Sequence, residues 1–424
     1  MSFFCSRWVQ PPKHLQELGD DALLPGGFRA AGIASGLKRS GRRDLGLLVC
    51  EADAPVSAVA LTSSLAPAAP VQVTARECTT QRLRAVLVNS GCANAGTGQA
   101  GIEAARRTQA AAAGALGAEP QSVALASTGS IADELPVEAI LAAITELAGS
   151  LGAGGAREFA EAIMTTDRTD KRAHLALELP AGQVRLSAQC KGAGMISPRF
   201  ATMLCFIETD AALEHERAQE LLSAAVRASF DRITVDGQLS TNDSVFLLAS
   251  GASGLRLARE SEEEGRFAAA LEALLRQLAL LIVADGEGAQ RIARVRVRGG
   301  DAQAVQLAAR AVANSPLVKA ALGGGDPNWG RVLQAACGAL AGQERSRHQA
   351  QRAGGVLPVS VAIEGIGVCA DGVALPAERA ALVAAVSGSE VEYEVGLPGS
   401  GAEAELFFSD LSHEYVRINS EYTT

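Results

Sequence analysis

The chain has 424 residues, 48% of them hydrophobic and 20% charged, with a formal net charge of -9. At a prior of about 150 residues per domain, that length and apolar content predict two or three lobes. An acidic balance without a basic run excludes the phosphate-neutralising footprint of a nucleic-acid binder, and aromatics at 4% leave little for base stacking.

The opening stretch, Met1-Ser-Phe-Phe-Cys-Ser-Arg-Trp8, lacks the basic start and long apolar run of a secretory signal. No uninterrupted apolar stretch reaches the ~18 residues a membrane helix needs, so a cytoplasmic protein is expected. Helical and strand periods then alternate. Residues 104–116 are alanine-rich and stop at Gly117, which predicts a helix. Residues 148–156, rich in glycine and alanine, predict a flexible surface connection. Ala218, Leu221, Leu222 and Ala225 recur at helical spacing before Ile233 and Val235 alternate as in a strand. Phe267, Leu271, Leu274, Leu275 and Leu278 mark one face of a second helix, and Leu281-Ile-Val-Ala284 predicts a short buried strand after it. Ala293, Val295 and Val297 alternate with arginines, and Val391, Tyr393 and Val395 with glutamates, the period of half-buried strands. The polar residues 343–355 predict an exposed loop. No tandem repeat is visible, and the mixture is α/β or α+β with layered sheets.

Eight cysteines, Cys5, Cys50, Cys78, Cys92, Cys190, Cys205, Cys337 and Cys369, form no Cys-x-x-Cys pair, and the five histidines are isolated. No metal site is expected, and the thiols are expected to be reduced and mostly buried. Gly96-Thr-Gly-Gln-Ala-Gly101 has dinucleotide-loop spacing, but a polar stretch separates it from the apolar run ending at Val88. Gly323-Gly-Gly-Asp-Pro-Asn-Trp-Gly330 reads as a packed turn rather than a phosphate loop, because of Pro327 and Trp329.

The chemistry is most legible in Lys191-Gly-Ala-Gly-Met-Ile-Ser-Pro-Arg-Phe-Ala-Thr202, a glycine stretch that delivers Ala201 and Thr202 to the head of an apolar run. A threonine hydroxyl needs a base beside it to attack, and cleavage just before Thr202 would free an α-amine on the same residue. With an unperturbed pKa of about 7.7–8.0, that amine can be neutral near physiological pH and accept the proton. The bland alternative is an ordinary threonine opening a core strand. Acyl transfer also needs donors for a tetrahedral oxyanion, and the small residues Ser127-Thr-Gly-Ser130, after an apolar run, have that character. Without context the same stretch is a cap or a turn.

These residues, together with Gly27-Phe-Arg-Ala-Ala-Gly-Ile33, Val88-Asn-Ser-Gly91, Ile163-Met-Thr-Thr-Asp167, Ile233-Thr-Val-Asp-Gly237, Ser240-Thr-Asn-Asp243, Asp285-Gly-Glu-Gly-Ala289, Asp326-Pro-Asn-Trp-Gly-Arg331 and Val416-Arg-Ile-Asn419, resemble the ornithine acetyltransferase, or glutamate N-acetyltransferase, family over nearly the whole chain. The resemblance implies a layered α/β/β/α sandwich, Ntn-like but distinct. It implies autocatalytic cleavage between Ala201 and Thr202 into an alpha fragment, 1–201, and a beta fragment, 202–424, interlocked in one fold and assembled as a heterotetramer of two cleaved pairs. The implied activity moves acetyl from N2-acetyl-L-ornithine to L-glutamate through an acetyl-threonine intermediate in arginine biosynthesis. No cofactor is implied, although acetyl-CoA is a co-substrate for some members. Thr128 and Gly129 match the oxyanion stabilisers. Thr165 (preferred over Thr166), Lys191, Thr202, Glu287, Asn419 and Thr424 match substrate-binding positions. Four stretches depart from the family pattern: Thr62-Ser-Ser-Leu65, Cys92 in place of an asparagine, Ser130 with Ala132-Asp133 in place of an aliphatic and glycine pattern, and Arg168-Thr-Asp-Lys171. They keep open a hydrolytic paralogue, an N-terminal-threonine aminopeptidase or amidohydrolase, and an inactive binding shell.

Overall fold

The computed structural model describes residues 2–197, 203–399 and 401–421; Ala201, Thr202 and Thr424 lie outside the described residues. The described residues divide into two compact units, residues 2–231 with Leu239–Ile282, and Arg232–Gln238 with residues 283–421.

The first unit contains two sheets. A six-stranded sheet runs in the order Leu15–Glu17, Lys171–Leu179, Gly182–Lys191, Leu204–Thr209, Ser244–Ala249, Val56–Leu61. A four-stranded sheet runs Phe28–Ile33, Leu45–Cys50, Ala85–Cys92, Val123–Ser130. Their facing side chains form one apolar core. Phe28, Leu48, Val88 and Ala126 come from the smaller sheet, and Leu204, Phe206, Phe246 and Leu248 from the larger. Phe206 stacks on Phe246 at 5.5 Å and meets Phe159 edge-on at 5.0 Å. The other face of the smaller sheet, with Leu45, Leu47, Leu87 and Leu125, packs on helices Ala69–Glu77, Gly98–Leu116 and Val137–Gly149. Helix His215–Ala228 lies against the strand Val56–Leu61, and helix Glu262–Ala284 runs beside it, Arg217 pairing with Glu264. This is the α/β/β/α layering that the resemblance implies. Leu204–Thr209 is buried at every position, which explains its apolar run Leu204-Cys-Phe-Ile207: both faces are covered.

The larger sheet is threaded across the expected cleavage point. Its two strands from beyond residue 202, Leu204–Thr209 and Ser244–Ala249, are parallel to each other and lie between Gly182–Lys191 on one side and Val56–Leu61 on the other. A backbone break before residue 203 would leave these ladders intact, because interstrand hydrogen bonds rather than chain continuity hold the strands side by side.

The second unit has a seven-stranded sheet in the order Ile233–Thr234, Ala402–Ser409, Ile292–Gly299, Glu390–Gly396, Ser360–Ile363, Ile366–Ala370, Val373–Ala374. Val295, Val297, Val361, Leu406 and Phe408 share a core with Val305 and Val312 of helix Ala302–Ala313 and Val332 of helix Trp329–Leu340. The alternate face carries charge, Arg294 donating to Glu392 at 2.7 Å across paired strands.

Several expectations hold. The alanine-rich helix is Gly98–Leu116 and ends at Gly117 with φ +61°, the left-handed cap that favours glycine. Three others are corrected. Leu281-Ile-Val-Ala284 is the last turn of helix Glu262–Ala284 rather than a strand; nothing in the sequence breaks the helix there, and a short apolar run fits either state when buried all round. That helix is long and apolar enough to cross a membrane by length and composition, and about two-thirds of its most apolar window is buried, as in a core helix. Residues 343–355 contain the helix Glu344–Arg352, whose residues are good helix formers up to Gly354. The connection around residues 148–156 is pinned, since Gly152 bridges Ala30 and a Cβ on Gly155 would lie 1.9 Å from the Ala30 carbonyl oxygen.

Candidate active site

Thr128 and Gly129 end the strand Val123–Ser130, where Ser90 and Gly91 of the neighbouring parallel strand pair with them and a register shift follows. Gly129 has φ +136°, and a Cβ there would sit 2.3 Å from the Gly91 carbonyl carbon, so no other residue fits. The turn is fixed from several sides. Asn242 Nδ2 donates to the carbonyls of Ala93 at 2.8 Å and Ser127 at 2.9 Å; Ser127 Oγ donates to Asn89 Oδ1, and Asn89 Nδ2 donates to the Cys92 carbonyl. Ala132, just beyond the turn, has φ +69°, a conformation that glycine adopts more easily. The Gly96–Gly101 stretch follows a strand that runs on to Cys92, past Val88, and it opens the helix Gly98–Leu116. Its polar groups bond within the loop, Thr97 Oγ1 to Asn94 Oδ1 and Asn94 Nδ2 to the Gly101 carbonyl.

Lys191 closes the strand Gly182–Lys191 and is 2% exposed, not solvated. Its ammonium donates to Thr165 Oγ1 at 2.8 Å and to Thr128 Oγ1 at 3.3 Å, and lies 3.8 Å from the Asp167 carboxylate. One cation therefore joins the strand end bearing Thr128 to the Thr165–Asp167 segment. A hydroxyl that accepts from an ammonium keeps its own proton for donation and is polarised for it, the behaviour wanted of an oxyanion donor. Asp167 also receives Lys171 Nζ at 2.8 Å, the Gly192 amide at 2.7 Å and the Thr165 amide at 3.0 Å. Burial alone would raise its pKa; the two lysines and the amide donors outweigh that and hold it well below the usual carboxylate range. Of the matched pair, Thr165 rather than Thr166 has the bond to Lys191.

Lys38 adds positive potential at the same turn. A Cβ on Gly91 would meet its Cγ at 3.3 Å, and burial together with Lys191 lowers its pKa to about 8 despite Asp44.

In the second unit, Glu287 Oε2 accepts from Asn419 Nδ2 at 2.7 Å, and the same Nδ2 donates to the Tyr415 carbonyl at 3.0 Å. The loop and the terminal helix His413–Glu421 fit closely. Gly288 has φ +70°, a Cβ there would lie 2.4 Å from the Tyr415 amide, and Ser412 Oγ donates to the Gly288 carbonyl at 2.7 Å. Burial, with Asp236 and Glu287 nearby, pushes Tyr415 up to about 12. Among the described residues no cluster of His, Cys, Asp and Glu suits a metal ion.

Thus Thr128, Gly129, Thr165 and Lys191 are brought together in the first unit, and Glu287 and Asn419 in the second. Asp167, Lys171 and Asn242, which bond to these groups or to the turn, were not among the sequence candidates, although each lies in a stretch the sequence analysis names.

Comparison with known proteins decides the family. The sequence model of the ArgJ family matches residues 29–424. The chain belongs to the ArgJ family. It is 40% identical over 425 aligned positions to the arginine biosynthesis bifunctional protein ArgJ of Mycolicibacterium paratuberculosis, covering 98% of this chain and 99% of that one. The ArgJ of Thermosynechococcus vestitus is 38% identical, with 97% and 100% covered. A solved ornithine acetyltransferase of Mycobacterium tuberculosis, complexed with ornithine, is 39% identical, covers 43% of this chain and 98% of its own, and superposes with a TM-score of 0.40. All the site residues matched above, Thr128 to Thr424, fall within this span, and of the resembling motifs only Gly27 and Phe28 precede it.

Proposed function

We propose that the protein is an acyltransferase of arginine biosynthesis that moves acetyl from N2-acetyl-L-ornithine to L-glutamate after cleaving itself between Ala201 and Thr202. The observation that carries this reading is the single buried ammonium of Lys191 bonded to the hydroxyls of both Thr128 and Thr165, on the strand next to the one that begins just after Thr202.

In the first step the Thr202 hydroxyl attacks the Ala201 carbonyl, the peptide C–N bond breaks as the amine takes up a proton, and water hydrolyses the resulting ester. The chain then ends in a free Thr202 amine. In the transfer, this amine takes the Thr202 hydroxyl proton while the oxygen attacks the acetyl carbonyl of N-acetylornithine. Thr128 and the backbone at Gly129 stabilise the oxyanion, ornithine leaves with the proton on its nitrogen, and acetyl-Thr202 remains. The amine of glutamate then attacks this ester, its proton passes through the Thr202 amine to Thr202 Oγ as the Oγ–acyl bond breaks, and N-acetylglutamate departs. Lys191 and Thr165 take the α-carboxylate end of the substrate. Glu287 receives an ammonium, and Asn419 and Thr424 close over the substrate. Cleaved pairs assemble as a heterotetramer in the cytoplasm.

Incubation with N-acetylornithine should add one acetyl mass to the fragment that begins at Thr202, and later addition of glutamate should remove it. Acetate released without an amine acceptor would favour a hydrolase instead, and an unmodified protein that still exchanges acetyl would refute the covalent route.

A further inference from the structure

The dipeptide Asn242-Asp243 has a role in neither half of the chemistry above, yet its side chains reach both sides of it. Asn242 donates to the Ala93 and Ser127 carbonyls, the backbone that carries Thr128. Asp243 is fully buried, and its Oδ1 accepts the Met203 amide at 3.0 Å. That amide is the nitrogen of the peptide bond on the C-terminal side of Thr202. Main-chain bonds fix the dipeptide: the Ser244 amide donates to the Met203 carbonyl, and the Thr62 amide to the Asp243 carbonyl. Among the described residues, Oδ2 of Asp243 is buried and has no hydrogen-bond partner.

We propose that Asp243 is a positioning residue for Thr202: its carboxyl grips the amide that follows the nucleophile, while the adjacent Asn242 grips the strand of Thr128, so that the pair sets the separation of nucleophile and oxyanion turn. This rests on the reading of Thr202 as the nucleophile. The grip works with an uncharged acid. Burial raises the pKa of Asp243 well above the ordinary carboxylate value, and the Met203 amide, the Ser240 and Thr62 hydroxyls and the through-space pull of Lys191 do not reverse it. An ionised carboxylate one residue from the Thr202 amine would hold that amine as an ammonium, unable to accept the hydroxyl proton; a protonated one leaves it basic.

The test uses the full chain with Asp243→Asn, Asp243→Ala and Thr202→Ala side by side, scoring self-cleavage by mass and acetyl transfer against pH. Asp243→Ala removes the grip and should slow both cleavage and kcat by about tenfold or more with KM little changed, the loss expected for one buried hydrogen bond. Asp243→Asn keeps an uncharged acceptor and should rescue both to within about threefold, with the pH profile of kcat unmoved. An uncut or inactive Asp243→Asn would overturn the proposal by showing that an ionised carboxylate is needed, and this variant decides the matter even if Asp243→Ala fails to fold. Asp243→Ala that behaves like the parent, beside an inert Thr202→Ala, would overturn the grip alone. A Thr202→Ala chain that still transfers acetyl would remove the nucleophile reading and this inference with it.

Discussion

Lys191 and Glu287 both carry charge that the resemblance assigns to the substrate, and the protein holds them in opposite ways. Lys191 ends an interior strand, with two hydroxyls and a buried carboxylate around its ammonium. Glu287 sits on a loop, bonded to Asn419 of a terminal helix in which no described residue is buried. The first arrangement is part of the core and cannot be altered without disturbing the fold. The second is local, and a change there should be felt in substrate binding first. On the proposed reading, the reacting geometry belongs to the sheets and recognition to a loop and the terminal helix.

The largest effect expected from breaking this contrast is that of Asp167→Ala, which leaves Lys171 and Lys191 buried without their shared carboxylate. It should cost about 3–5 kcal/mol, read as a lowered midpoint in urea, together with loss of self-cleavage. Gly129→Ala drives a side chain into the Gly91 backbone and should lower acetyl transfer by about 10²–10³-fold, as when an oxyanion donor is lost. Parental transfer by that variant would remove the turn from the mechanism. Asn419→Ala should leave self-cleavage untouched and raise KM several-fold, the loss of ~1 kcal/mol from one partly exposed hydrogen bond.

A pH series sharpens the contrast between buried acids. Glu208 is fully buried, and burial raises its pKa well above the ordinary value. Its unfolded form ionises above a pH of about 4 while the folded form stays protonated, so its contribution to stability falls as pH rises from there. Glu208→Gln should therefore gain stability relative to the parent at pH 8 compared with pH 5. Asp167 has the opposite sign: its lowered pKa contributes stability above a pH of about 4 that is lost as the solution is acidified. The smallest effect expected is from Ala132→Gly, which relieves a left-handed alanine and should raise stability by about 0.5–1 kcal/mol in thermal unfolding.

Much of this was legible in the sequence, because it depends on local pattern. The half-buried strands at Val295 and Val391 and the helix that stops at Gly117 are read from neighbours in the chain, whereas Gly129 is picked out by the resemblance to the family. The site's partners were not. Asp167 lies two residues from Thr165, and only the antiparallel pairing of Lys171–Leu179 with Gly182–Lys191 returns Lys191 to it. Asp243 meets Met203 because Ser244 pairs with Leu204 in parallel, and a parallel register forty residues apart leaves no periodic trace. The last turn of Glu262–Ala284 was misread for a related reason: a segment buried on every side loses the period that separates helix from strand.

The most direct test is N-terminal sequencing with intact mass of freshly purified parent and Thr202→Ala proteins. The account predicts two tightly associated fragments in the parent, one starting at Thr202, and a single uncut, inactive chain in the variant. An active parent preparation with only the original N-terminus would contradict it.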